Sequence, residues 1–300
     1  MRNINEDTIT QAVIASMSHC DDERLRTVMT SLVQHLHAFA RDVKLTEDEW
    51  FHAIRFLTEA GHITDDRRQE FVLLSDTLGL SMLVTTQNHR KPAACTEATV
   101  LGPFFVAGAP EYAPGDDIAN GAAGAPCFVS GSVVGIDGEP VGGAQLDVWQ
   151  SDEHGFYDVQ HDADATGRIE PQARGRLRTA ADGTFHFRSI LAQAYPIPHD
   201  GPVGRMLDAL GRHPWRPAHL HFWIQADGYE PLITHVFRNG DRYLDSDAVF
   251  GVRSSLVVDW NRHEAGIAPD STRMDVPFYT LDYRFVLNPR NPANPQGDNK

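Results

Sequence analysis

Leu25, Val28, Met29, Leu32, Leu36 and Phe39 recur at spacings of three and four, a stripe that predicts an amphipathic helix laid on a core. His35, His37 and Arg41 fall off that stripe. Thr46 followed by Glu49 reads as a capping box, which opens a second helix with Trp50, Ala53, Ile54 and Leu57 inward and Gly61 as its stop. A third helix is predicted from about Asp65 through Phe71, Leu74 and Leu78. None of these helices has the lysine-rich polar side of a lipid-lying helix, so core or subunit packing accounts for their apolar faces better. From about Pro103 to Pro126, Gly, Ala, Pro and Asp take over, as in a linker or wrapping loop. Beyond it the period drops to two. Asp137-Gly138 and Asp182-Gly183 are turn dipeptides, and the runs Leu146 and Val148, Phe185 and Phe187, and Tyr279 through Leu287 alternate as strands do. A short helical insertion, Val203 to Leu210, precedes another such run. The pattern predicts a mixed, mainly β chain: an N-terminal helical region, residues 1–102, and a C-terminal antiparallel β-sandwich, residues 103–300.

Composition narrows the possible partners. With 300 residues, 41% of them apolar, the chain can bury a large core and has no mark of disorder. A net charge of −15 without a basic cluster argues against nucleic acid. No apolar run is long enough to span a membrane, and the first residues do not form a secretory signal, so the expected compartment is the cytoplasm. Cys20, Cys95 and Cys127 are too few and too scattered for a disulfide framework or a thiolate metal site.

The candidate chemistry lies in Arg216-Pro-Ala-His-Leu-His-Phe-Trp223. On a strand His219 and His221 share one face, about 7 Å apart along the backbone, while Leu220, Phe222 and Ile224 take the other. Such a strand lays one face on a core and lines a pocket with the other. A lone His-x-His is more often two ordinary strand histidines, so further ligands are required. Tyr157 follows a glycine turn on a loop, and Tyr195 is held extended by Pro196. Together they make a set of two phenols and two imidazoles. Phenolate is a hard, charged donor that favours a hard trivalent ion, whereas zinc and ferrous sites more often pair histidine with thiolate or carboxylate. The set points to Fe(III).

Across nearly its whole length the chain resembles the intradiol ring-cleaving dioxygenases of the catechol 1,2-dioxygenase type, and among them the hydroxyquinol branch. The resemblance is carried by Leu-Leu-Ser-Asp-Thr-Leu-Gly at 73–79, the Thr99-Val-Leu-Gly-Pro-Phe-Phe segment, Gly155-Phe-Tyr, Tyr195-Pro-Ile-Pro and Arg216-Pro-Ala-His-Leu-His, all in the family's order. It implies Tyr157 with His219 as equatorial ligands and Tyr195 with His221 as axial ligands of one Fe(III) per subunit. It further implies a substrate pocket of Leu73, Asp76, Val100, Gly102, Pro103, Phe104, Ile197, Pro198 and Val249, and a homodimer whose helical interface encloses a phospholipid. His235, in Leu-Ile-Thr-His-Val-Phe, departs from the glutamine common in the catechol branch.

The chemistry that follows is cleavage of a vicinal diol by dioxygen, with Tyr195 and a bound hydroxide taking the diol protons and Arg216 stabilising charge on the ring. Asp76 can accept a hydrogen bond from a third hydroxyl that catechol lacks, which favours benzene-1,2,4-triol. The competing readings are a catechol or chlorocatechol 1,2-dioxygenase, a transthyretin-like β-sandwich binding module without redox metal, and a zinc hydrolase. The last lacks a His-Glu-x-x-His pattern.

Overall fold

The computed structural model describes residues 2–65, 68–161 and 169–291. They form two compact units, residues 1–62 and 63–300. The first holds α1 (Ile9–Ser16), α2 (Glu23–Asp42) and nearly all of α3 (Glu47–Ile63). The helices begin where predicted: Asp22 caps α2 by accepting from the Leu25 amide, and the Thr46/Glu49 capping box closes with both reciprocal bonds, at 2.9 and 3.3 Å.

Their apolar stripes do not face inward. No residue of α2 is buried, with Leu36 and Phe39 each 55% exposed, and Trp50, Ala53, Ile54 and Leu57 on α3 are exposed as well. The expectation of a stripe laid on the chain's own core is therefore corrected. The reason is visible in α1, which is tied to α2 from the polar side. His37 lies 2.9 Å from the Thr10 hydroxyl, and Arg41 donates to Thr10 and to the Glu6 carbonyl.

The second unit contains α4 (Glu70–Thr77), α5 (Leu80–Asn88) and α6 (Pro202–Ala209). Residues 66 and 67, within the predicted third helix, lie outside the described residues. The compact division falls at 62/63, and within the second unit α4 packs on α6. The buried Glu70 carboxylate accepts from the Val203 amide at 3.0 Å, and Arg212 donates to the Thr77 carbonyl.

The strands of this unit, in chain order, are β1 (Pro126–Gly135), β2 (Gln145–Trp149), β3 (Arg174–Arg178), β4 (Thr184–Ile190), β5 (Tyr195–Pro196), β6 (Trp215–Arg216), β7 (His219–Gln225), β8 (Leu232–Arg238), β9 (Val257–Val258), β10 (Asn261–His263), β11 (Gly266–Ile267), β12 (Arg273–Met274) and β13 (Phe278–Leu287). One sheet runs β10-β13-β1-β4 and the other β3-β2-β7-β8-β9. Most pairings are antiparallel, while β1 with β13 and β8 with β9 run parallel.

The core lies between the two sheets. Val129, Val133, Phe185, Phe187 and Phe285 come from one, and Leu146, Val148, Leu220, Phe222 and Ile224 from the other. Phe222 meets Phe285 with ring centroids 4.7 Å apart. The alternation of β7 thus resolves as the pattern requires: its apolar residues enter the core, and His219 and His221 occupy the opposite face. No described helix is long and apolar enough to cross a membrane.

Candidate metal centre

Strand register assembles the centre. His221 pairs with Trp149 on β2 and with His235 on β8, so these three side chains form a row across the sheet on its non-core face. His219, two residues earlier, pairs with Phe237. Tyr195 arrives by another route, as the cross-strand neighbour of Arg216 in the two-stranded β5–β6 ribbon.

Tyr157 comes from the loop after β2, and Gly155 makes that approach possible. Its φ is +84°, and a Cβ there would meet the Tyr195 Cβ at 3.0 Å and the Ala194 carbonyl oxygen at 3.4 Å. The ring of Tyr157 stacks on Phe104 at 4.5 Å and meets Tyr195 edge-on at 5.2 Å. Directly after it, the buried Asp158 carboxylate pairs with Nε and Nη2 of Arg174, and the same Nη2 also donates to the Phe104 carbonyl at 2.8 Å. One ion pair therefore fixes both the tyrosine segment and the aromatic ring stacked on it.

The four predicted donors converge. The Tyr157 hydroxyl lies 2.9 Å from His221 Nε2, which lies 3.0 Å from His219 Nε2. Arg216 Nη1 donates to the Tyr195 hydroxyl and reaches His219 Nε2, both at 3.4 Å. All four donor side chains are at most 2% exposed. His219 Nδ1 lies 2.7 Å from the Pro217 carbonyl, which can only accept; the proton is therefore on Nδ1, and Nε2 presents its lone pair to the centre. Burial, and then the charge of Arg216, push His219 down to about 3. Burial likewise holds His221 and His235 well below the usual imidazole range and Tyr157 well above the usual phenol range.

A buried, neutral cluster of lone-pair donors at 3 Å separations fits a cation. Its fit to a ferric ion lies in the two phenols, which can surrender protons and bring two negative charges beside the fixed charge of Arg216. Burial disfavours the charge of Arg216, but Asp247 outweighs that effect and keeps the guanidinium charged: Nε and Nη2 donate to its two carboxylate oxygens at 3.1 and 3.3 Å. Burial also works against the Asp247 carboxylate, yet Arg216 and the Gly251 amide, 2.8 Å away, hold it below the usual range.

Two model matches bear on what this centre belongs to. Residues 100–289 match the family model described as "Dioxygenase", and residues 22–96 match "Catechol dioxygenase N terminus". The chain belongs to the intradiol ring-cleavage dioxygenase family. It is 57% identical over 289 residues to the 6-chlorohydroxyquinol 1,2-dioxygenase of Cupriavidus pinatubonensis, covering 96% of this chain and 99% of that one. It is 50% identical to the hydroxyquinol 1,2-dioxygenase of Nocardioides simplex, covering 95% and 96%. The solved hydroxyquinol 1,2-dioxygenase of Pseudomonas putida DLL-E4 superposes with a TM-score of 0.87 at 46% identity, covering 95% of this chain and 99% of that one. This intradiol dioxygenase is therefore an enzyme, and the transthyretin-like and zinc-hydrolase readings are set aside.

The structure places the residues expected to line a substrate pocket as follows. Phe104 touches both tyrosine rings, and a Cβ on Gly102 would lie 3.3 Å from His221. Val249 is buried beside Asp247, to which its amide donates. Asp76 is buried on α4. Its carboxyl is raised by burial, with a bond from Ser81 and the charge of Arg216 opposing that rise. Leu73, one turn earlier on α4, is buried; so are Val100 and Ile197, while Pro198 is half-buried and Pro103 exposed. Sequence reasoning missed Asp247, Arg174, Asp158 and Trp149, which stacks on His221 at 4.6 Å, as parts of the site.

Proposed function

We propose that this dioxygenase cleaves benzene-1,2,4-triol between its vicinal hydroxyl-bearing carbons, giving 3-hydroxy-cis,cis-muconate, the enol form of maleylacetate. Both atoms of dioxygen enter the product as carboxylate oxygens, so no external reductant is consumed. The observation that carries the reading is the convergence of Tyr157, His219, His221 and the Arg216–Tyr195 pair in one buried cluster. The names of relatives at 46–57% identity support the substrate class.

Ferric iron, one per subunit, would be held by Tyr157, Tyr195, His219 and His221 and would supply the Lewis acidity that favours loss of the diol protons and activates the diolate toward dioxygen. The chain's own groups do the rest. The Tyr195 oxygen, at 3.4 Å from Arg216 Nη1, is placed to accept a diol proton. Arg216, fixed by Asp247, offers a preoriented positive charge where negative charge develops on the ring. Phe104, Val100, Ile197 and Val249 line an apolar slot that excludes water, and Asp76 accepts the third hydroxyl. Catechol offers that buried carboxyl no hydrogen bond beside the one from Ser81, a loss of about 1–3 kcal/mol relative to the triol.

The uncovered faces of α2 and α3 support a homodimer formed through them, with a phospholipid's acyl chains between the helices, in the cytoplasm. The function is tested by oxygen uptake on a panel of the triol, catechol and chlorocatechols. A kcat/KM for the triol about tenfold or more above that for catechol supports the assignment; equal or reversed values place the enzyme in the catechol or chlorocatechol class.

A further inference from the structure

Three buried histidines, not two, face one another beside the tyrosines. His235 stands opposite His221 in the β7–β8 ladder, its ring centroid 4.2 Å from that of His221 and 4.7 Å from that of His219. One ligating nitrogen from each of the three lies within 4.8 Å of the others. His235 is fully buried, and among the described residues neither of its ring nitrogens has a hydrogen-bond partner. Buried polar nitrogens are nearly always satisfied, so a fully enclosed imidazole with two idle nitrogens points to a ligand. The ferric donor set leaves His235 unused.

The chemistry of the three nitrogens differs from that of the two-phenol set. Imidazoles bring no charge and suit borderline divalent ions such as zinc and cobalt, whereas a hard trivalent ion gains from phenolate. Metal–nitrogen bonds of about 2.0–2.1 Å in a tetrahedron separate donor atoms by about 3.3–3.4 Å. The His219 and His221 Nε2 atoms, at 3.0 Å, are already near that spacing, and a His235 nitrogen lies within 4.8 Å of the other two ligand atoms. Two of the rings are braced for the task, His219 by the Pro217 carbonyl and His221 by the stacked Trp149.

We propose that His219, His221 and His235 form a second donor set in the same cavity, a three-imidazole site for a divalent transition cation of the zinc or cobalt class. It excludes ferric iron, because it takes two of the four ligands that iron requires. The proposal rests on the metal-centre reading for His219 and His221, and on the orphaned nitrogens for His235.

The test is a cobalt(II) titration of the full-length protein after reductive removal of iron with a chelator, followed by visible ligand-field absorption. One cobalt per chain is expected, in a four- or five-coordinate spectrum without a phenolate charge-transfer band. His235→Gln weakens that binding by about tenfold or more, yet the same variant still develops ferric-phenolate colour when given iron. Tyr157→Phe does the reverse, keeping cobalt while its iron colour changes. Circular dichroism melts check that each variant is folded. If His235→Gln does not fold, proton NMR of the cobalt-loaded unsubstituted protein decides: shifted resonances from three imidazoles support the site, and from two overturn it. Equal cobalt affinity with and without His235, no cobalt uptake at all, or joint loss of cobalt and iron in folded His235→Gln overturns it too. Absence of colour in the iron-loaded unsubstituted protein strikes the ferric reading instead, and leaves the cobalt comparison standing.

Discussion

Asp247→Asn isolates the group that positions Arg216. The pair is 2% exposed on both sides, and each carboxylate oxygen accepts one guanidinium bond while Gly251 and Val249 amides fill the remaining lone pairs. Asparagine keeps the volume but brings an NH2 to a spot where every neighbour is a donor, so one Arg216 bond is lost and the guanidinium becomes a buried, poorly paired charge. Breaking a buried pair in this way costs about 3–5 kcal/mol when the partner is deleted; retention of one amide oxygen puts Asp247→Asn near 3 kcal/mol, or about 6–12 °C in Tm for a unit of this size. Because Arg216 also reaches the Tyr195 hydroxyl and His219, freeing it by about 1 Å lowers kcat by about a hundredfold, with a smaller change in KM. The assay pairs a thermal melt with steady-state oxygen uptake on the triol. A lower Tm with kcat unchanged would refute the positioning role, and an unchanged Tm would refute the buried pair itself.

Further outcomes follow from the same geometry. Asp76→Ala lowers kcat/KM for the triol by about tenfold or more and leaves that for catechol equal or higher; a proportional loss on both substrates in the kinetic panel makes Asp76 structural. Leu32→Asp with Leu36→Asp places charge on the exposed α2 stripe and yields a monomer by light scattering at micromolar concentration; an unchanged dimer removes α2 from the interface. In metal-free protein the unfolded chain protonates its histidines below about pH 6.5, while folded His219 stays neutral until about 3. Unfolded protein therefore binds more protons in that window, and stability falls with falling pH by about 1.4 kcal/mol per unit for each such histidine. Melts of the metal-free protein from pH 7 to 5 check the slope, and a flat profile contradicts the burial of neutral imidazoles.

Much of the site was legible because its parts are short and local. The two-residue period of β7 assigned His219 and His221 to one face, and the glycine before Phe156-Tyr157 marked a turn that projects a side chain. What the sequence did not reveal depends on pairing across long stretches of chain. Nothing local ties Tyr195 to Arg216, or His235 to His221; each becomes a neighbour only through its ladder. Asp247 sits in Asp245-Ser-Asp-Ala-Val, indistinguishable by composition from an ordinary turn. The helical stripes teach a related lesson. Periodicity identified α2 as amphipathic, but an apolar face specifies only that something covers it, and His37 and Arg41 bind α1 from the other side.

The central claim is a ferric ion held by two phenolates, and the visible absorption of the iron-loaded protein tests it most directly. A wine-red protein with one iron per chain is expected, whose charge-transfer band shifts in both Tyr157→Phe and Tyr195→Phe. A colourless iron-loaded protein, or an identical band in both variants, would contradict it.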